Sequence, residues 1–186
     1  MGKAMVWRIG LGFVVLLAAA LRLWPLLLGD PVWHADEYRS VFFPLNFFSG
    51  DLNPHFFFYP TLHYYLLGVV YAFCFLCGSD FSFYEWIAYH YFWAPEQLMW
   101  VARFVGVVFA VLAVWGSAVL ARRLAGSGAG IVAALFLAFN VLHVRQSYLT
   151  AVDIPLAFWS VVAVWAAARL LYCERLRDYV LAGALL

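Results

Sequence analysis

Residues 5–28, MVWRIGLGFVVLLAAALRLWPLLL, decide the fold. A helix that crosses a bilayer needs about 20 mostly apolar residues. This run has that length, interrupted only by Arg8 near its start and Arg22 near its end. It is too long for the apolar core of a secretory signal, and Gly29-Asp30-Pro31-Val32-Trp33 follows it instead of a small-residue cleavage site. The segment is therefore expected to stay uncleaved. Lys3 and Arg8 precede its apolar core, so the positive-inside bias puts the N-terminus in the cytoplasm and the chain after Leu28 on the outer face.

The rest of the 186 residues agrees with that beginning. The chain is 67% apolar, 20% aromatic and 11% charged, with a mean hydropathy of +0.90. Soluble domains carry about 25% charged residues, so too few charges exist here to cover a water-facing surface. The bilayer is the solvent. The net charge of +1, without a basic field or a charged tail, argues against nucleic acid as a partner. Of the three cysteines, Cys74, Cys77 and Cys173, the first two have a C-x-x-C spacing but lie in the apolar run around Leu66 to Leu76 without the polar or second-pair context of a zinc or redox motif, so that pair reads as membrane packing.

Counting crossings organises the chain. Apolar stretches follow at about Tyr59 to Cys77, Leu98 to Leu120, Ile131 to His143 and Ile154 to Leu171. If Tyr59 to Cys77 crossed fully, the acidic segment with Asp80, Glu85 and Glu96 would be cytoplasmic and Arg122-Arg123 would lie outside, against the usual bias. If it does not cross, every loop obeys the rule, and Arg169, Arg175 and Arg177 also fall inside. The segment is thus read as re-entrant or lying in the interface, with its tyrosines and His63 at headgroup level. The expected spans are 5–28, 98–120, 129–146 and 153–171, all within one membrane module over 1–186. Residues 29–96 form a long outer loop. Asp36 to Phe48 reads as a short surface helix from the spacing of Val41, Phe42, Leu45 and Phe48, shortened or kinked by Pro44. Ala125-Gly126-Ser127-Gly128-Ala129-Gly130 reads as a tight turn between spans. Residues 179–186 read as the start of a further span, which suggests a fragment of a longer chain. The fold class is an all-α polytopic membrane helical bundle.

Three polar clusters fall on the outer face in this topology. The first is Trp33-His34-Ala35-Asp36-Glu37-Tyr38-Arg39. Neighbouring carboxylates beside a low-dielectric surface repel and lose hydration, which raises at least one pKa toward that of a useful base. The competing reading is an acidic loop with Asp36 as a helix cap. The second is Asn53-Pro54-His55-Phe56-Phe57-Phe58-Tyr59-Pro60-Thr61-Leu62, in which His55 and Tyr59 can hold a substrate or simply line an aromatic belt. The third runs from His143 through Arg145 to Asp153 and Pro155. Arg145 faces the side where positive charge is disfavoured and so asks for an anion, either Asp153 or a phosphate. Asp153 also suits a helix start. A carboxylate base, an arginine for a phosphate leaving group and a lipid-level location together suit sugar transfer from a lipid-phosphate donor.

On these residues the sequence resembles a known family. One span, Asp36-Glu37, Gly50-Asp51-Leu52-Asn53-Pro54-His55-Phe56, Tyr59-Pro60-Thr61-Leu62, Ala121-Arg122-Arg123-Leu124, His143-Val144-Arg145 and Thr150-Ala151-Val152-Asp153-Ile154-Pro155 occur in the order seen at the N-terminus of protein O-mannosyltransferase-like enzymes, glycosyltransferase family 39. The lipid A aminoarabinose transferases are more distant relatives. The resemblance implies a GT-C type fold with a long first outer loop, a polyprenyl-phosphate sugar donor, an acceptor hydroxyl and inversion in one displacement. It implies Asp36 as catalytic base with Glu37 as its neighbour in the motif, in a prokaryotic cell membrane. Phe58 and Tyr59 stand where the aminoarabinose transferases have an acidic and a basic residue, so no metal or phosphate role carries over there, and dependence on a divalent metal stays open. Two other classes compete. One is a lipid-linked-sugar transporter component, which asks for an ionisable residue in mid-membrane whereas candidates such as Arg103 lie near span ends. The other is a noncatalytic membrane subunit or fragment.

Overall fold

The computed structural model describes residues 2–28, 34, 36–78, 82–171 and 175–185. Trp33, Asp80 and Cys173 lie outside the described residues. All regular elements among the described residues are helical: α1 (Lys3–Leu28), α2 (Glu37–Asn46) running into a 3₁₀ turn (Phe47–Ser49), α3 (Leu62–Gly78), α4 (Phe83–Phe92), α5 (Pro95–Phe139), α6 (Val141–Ser147), α7 (Asp153–Leu170) and α8 (Leu176–Leu185). Helices α1, α5 and α7 are long and apolar enough to cross a membrane. The chain is an integral membrane helical bundle.

Local chemistry accounts for the helix ends. Pro95 opens α5 at its first turn, where its missing N–H has no intrahelical partner to lose. Ser82 and Glu85 close a reciprocal capping box at α4, and the Asn140 side chain accepts from the His143 N–H at 2.9 Å to start α6. The region 129–146 accordingly holds two helices, because Asn140 leaves helical geometry at φ −63°, ψ 112°.

Helix α5 is a hairpin. Gly126 takes φ 90°, ψ 177°, a conformation open to glycine and strained for other residues, and divides a first limb (95–125) from a second (127–139). The limbs pack so closely that a Cβ on Gly130 would stand 2.7 Å from the Ala118 carbonyl oxygen. Leu11, Val14 and Ala18 of α1 join Val114, Ala118, Ala134 and Ala138 of both limbs in one core. Trp7 meets Arg122 at one end of this core and Arg22 meets Ala138 at the other, so α1 runs antiparallel to the first limb. Phe109 meets Phe158 and Arg123 meets Trp165, so α7 runs with the first limb.

A second core joins Val41, Phe42 and Leu45 of α2 to Leu67 and Tyr71 of α3, Trp86 of α4, and Leu98, Met99 and Ala102 at the start of α5. Helices α3 and α4 are bent by 113° relative to one another, and together they make either a broken span or a re-entrant pair. Pro44 lies inside α2 without ending it, and the helix tightens into the 3₁₀ turn directly after Asn46. Within α3, His63, Tyr64 and Tyr71 turn inward and are buried against protein. Tyr65 is the outward residue, and its hydroxyl donates to the Leu52 carbonyl at 3.0 Å.

Candidate functional site

The site is built where α2 meets α5 and the α6–α7 connection. Asp36 and Glu37 are successive residues at the start of α2, and successive positions on a helix point about 100° apart. Glu37 turns inward and is 1% exposed, while Asp36 stays on the surface.

Four donors surround the Glu37 carboxylate. Arg103 donates from Nε to Oε1 at 2.8 Å and from Nη2 to Oε2 at 2.7 Å. The Thr150 N–H donates to Oε1 and the His34 N–H to Oε2, each at 2.9 Å. Burial alone pushes the Glu37 acid upward, but Arg103 and the two backbone N–H groups outweigh it and hold the carboxyl below its ordinary value. The sequence-based expectation that crowded carboxylates raise a pKa therefore fails at Glu37, because an arginine and two amides face it. Through these contacts Glu37 ties α2, α5 and residue 150 together.

Asp36 has the opposite surroundings. It occupies the N-cap position of α2, yet its side chain makes no capping hydrogen bond. Its backbone N–H donates to His34 Nδ1 at 3.3 Å, and its Oδ2 stands 3.6 Å from the same nitrogen. Both side chains are about half exposed, at 49% for His34 and 57% for Asp36. An accessible carboxylate thus sits beside a buried one whose hydrogen-bonding capacity is used internally.

The second cluster is a surface turn on the same side of α2. Asp51 accepts from the Asn53 N–H at 2.8 Å, Asn53 accepts from the His55 N–H at 2.9 Å, and the His55 ring Nε2 lies 2.7 Å from Asp51 Oδ2. That ring contact and the Asn53 N–H hold the Asp51 carboxyl below its usual range. Tyr59 packs edge-on against Phe56 at 5.4 Å, and the Arg39 guanidinium lies 5.0 Å above the Phe56 ring. Tyr38 and Tyr91 join α2 to α4 through their hydroxyls at 2.9 Å.

The third cluster divides. His143 is buried and engaged: its Nδ1 lies 2.8 Å from Arg22 Nη2, and since arginine only donates, Nδ1 is the acceptor. Arg22 also donates to the carbonyls of Ala18, Ala138 and Leu137, which closes the end of the second α5 limb. Arg145 and Asp153 are both exposed, and among the described residues neither makes an ion pair. Asp153 opens α7 in its first turn, where the helix dipole favours a negative charge.

Sequence reasoning missed Arg103, Thr150 and Arg22 as partners. A lone arginine in an apolar helix was the available signal, since such a charge needs a buried partner. Among the described residues no three His, Cys, Asp or Glu side chains converge as a metal site.

The family model described as dolichyl-phosphate-mannose-protein mannosyltransferase matches residues 82–186 of the chain. No curated protein and no solved structure matches it. The matched region contains Arg103, Thr150, Arg145 and Asp153, and the Glu37 contacts join the Asp36-Glu37 segment to it from outside.

Proposed function

Because the chain belongs to the dolichyl-phosphate-mannose-protein mannosyltransferase family, a group of membrane glycosyltransferases, we propose that it transfers a sugar from a polyprenyl-phosphate donor to an acceptor hydroxyl. Asp36 is the general base in this reading. Its carboxylate takes the proton of the acceptor O–H as that oxygen attacks the anomeric carbon from the face opposite the phosphate. The bond from the anomeric carbon to the phosphate oxygen breaks, its electron pair leaves with the phosphate, and polyprenyl phosphate departs with inversion at the sugar. Proton removal strengthens the nucleophile, and a fixed positive charge favours the departing phosphate. Arg145, exposed and without an ion pair among the described residues, supplies that charge.

The observation that carries this reading is the difference between the adjacent carboxylates. Glu37 is enclosed by Arg103, Thr150 and His34, whereas Asp36 is exposed with no side-chain hydrogen bond at its cap position. The basic ends of α1, the α5 hairpin and α7 lie together, which with the positive-inside bias supports a reading with Asp36 on the outer face and the N-terminus in the cytoplasm; the membrane in this reading is that of a prokaryotic cell. His55, Tyr59, His143 and Asp153 complete the site, with His143 acting through its hold on Arg22.

Membranes carrying the protein test the donor class when offered mannose on polyprenyl phosphate or on a nucleotide diphosphate. Transfer from the lipid-linked sugar, with the product anomer inverted, is expected. Transfer from the nucleotide sugar alone, or retention at the anomeric carbon, would overturn the reading.

A further inference from the structure

The end of the bundle away from Asp36 holds a second arrangement. Arg122 and Arg123 close the first limb of α5 beside the Gly126 turn, and neither has a carboxylate partner among the described residues. Each lies against an indole instead: Arg122 is 3.9 Å from the Trp7 ring centre and Arg123 is 5.2 Å from that of Trp165. Arg169 also lies over the Trp165 ring, 5.0 Å from its centre, and is paired to the buried Asp178 at 2.7 Å.

Two apolar cavities open at these arginines, one on each side of Trp115. The first, about 430 Å³, runs between the first α5 limb and α7 along Gly116, Val119, Phe158, Val161 and Trp165. The second, about 480 Å³, runs between α1 and α5 along Trp7, Val119 and Arg122. Arg123 borders both. The two helices approach closely beside the first cavity, where a Cβ on Gly116 would stand 3.1 Å from Val161.

Two adjacent cations, of which Arg123 borders both apolar channels and Arg122 one of them, match a molecule with one anionic head and two hydrocarbon tails. The guanidinium fork suits phosphate oxygens. Indole rings settle at the membrane–water interface, and basic residues at that level attract anionic lipids. We propose that Arg122 and Arg123 bind the phosphate of an anionic diacyl phospholipid, with its chains lying in the two channels flanking Trp115. This site is separate from Asp36 and does not depend on the transfer reaction.

Native mass spectrometry of the purified chain, equilibrated with equal amounts of phosphatidylglycerol and phosphatidylcholine of identical acyl chains, tests the proposal. Preferential retention of phosphatidylglycerol is expected. Arg123→Gln should reduce that preference by about fivefold, the factor equivalent to about 1 kcal/mol per interfacial arginine. Arg8→Gln removes the same charge outside both channels and should leave the preference intact. Excess inorganic phosphate should not displace the lipid. Equal retention of the two lipids, retention of neither, equal effects of Arg8→Gln and Arg123→Gln, or displacement by phosphate alone would each overturn the proposal.

Discussion

Glu37 and Arg103, 66 positions apart, meet through two hydrogen bonds of 2.8 and 2.7 Å in an environment where their side chains are 1% and 6% exposed. The pair fastens the short helix after α1 to the first limb of α5, and the Thr150 N–H fastens the approach to α7 onto the same carboxylate. Three separated stretches of chain are thereby fixed around the residue next to Asp36.

Removing one half of this pair leaves a buried charge without its counter-charge. Arg103→Leu is expected to destabilise the protein by about 3–5 kcal/mol, because breaking a buried pair costs more than the intact pair contributes. A combined Glu37→Leu and Arg103→Leu variant should be milder than the single change. Thermal unfolding in detergent checks this, and a double variant at least as unstable as Arg103→Leu would contradict it.

The same contact sets an acid limit. The folded-state pKa of Glu37 is lowered, so its contribution is complete above the unfolded value of about 4.3 and is lost as pH falls below that value through the folded one. Unfolding midpoints should therefore be flat with respect to this group near neutrality and fall under about pH 4. In the Glu37→Leu and Arg103→Leu double variant the acid slope should be shallower, which a pH series of melting curves measures.

Arg22 is expected to act as a clamp on the far end of the α5 hairpin. Arg22→Leu deprives the carbonyls of Leu137 and Ala138 and the His143 ring of their donor, at a cost of roughly 1–3 kcal/mol for groups left buried without a partner. Arg22→Lys should recover part of the loss. Amide exchange read across 137–143 should rise in the leucine variant before the rest of the bundle is affected.

The hairpin itself gives a steric prediction. Gly130→Ala would place a methyl group 2.7 Å from the Ala118 oxygen, and that backbone atom cannot swing aside. A loss of roughly 1–3 kcal/mol is expected, as for other overpacked positions. Gly128→Ala, two residues earlier with open space at its Cβ, is the control and should melt near the wild-type temperature.

Much of the fold was legible because lipid imposes a simple code: long apolar runs are helices, and small-residue clusters such as 125–130 mark reversals. The helical class, the membrane setting and a short helix after Asp36 follow from composition and spacing. What sequence could not supply was the inward or outward facing of side chains. His63 and Tyr71 look interfacial by type, yet both turn inward and are buried, Tyr71 in the core that α2 and α3 share. The break at Asn140 was overlooked because the flanking residues stay apolar, although asparagine is a recognised cap and the His143 N–H uses it. For the site, the adjacent carboxylates were visible, but their division into one buried and one exposed group depends on Arg103, whose partner no local pattern discloses.

The most direct measurement compares Asp36→Asn with Glu37→Gln for sugar transfer and thermal unfolding in the same preparation. Asp36→Asn should reduce transfer by at least about 100-fold, the usual scale of a lost general base, with stability changed by no more than about 1 kcal/mol. Glu37→Gln should lower the unfolding temperature markedly. Transfer retained in Asp36→Asn, or an unfolding temperature that falls as far in Asp36→Asn as in Glu37→Gln, would contradict the account.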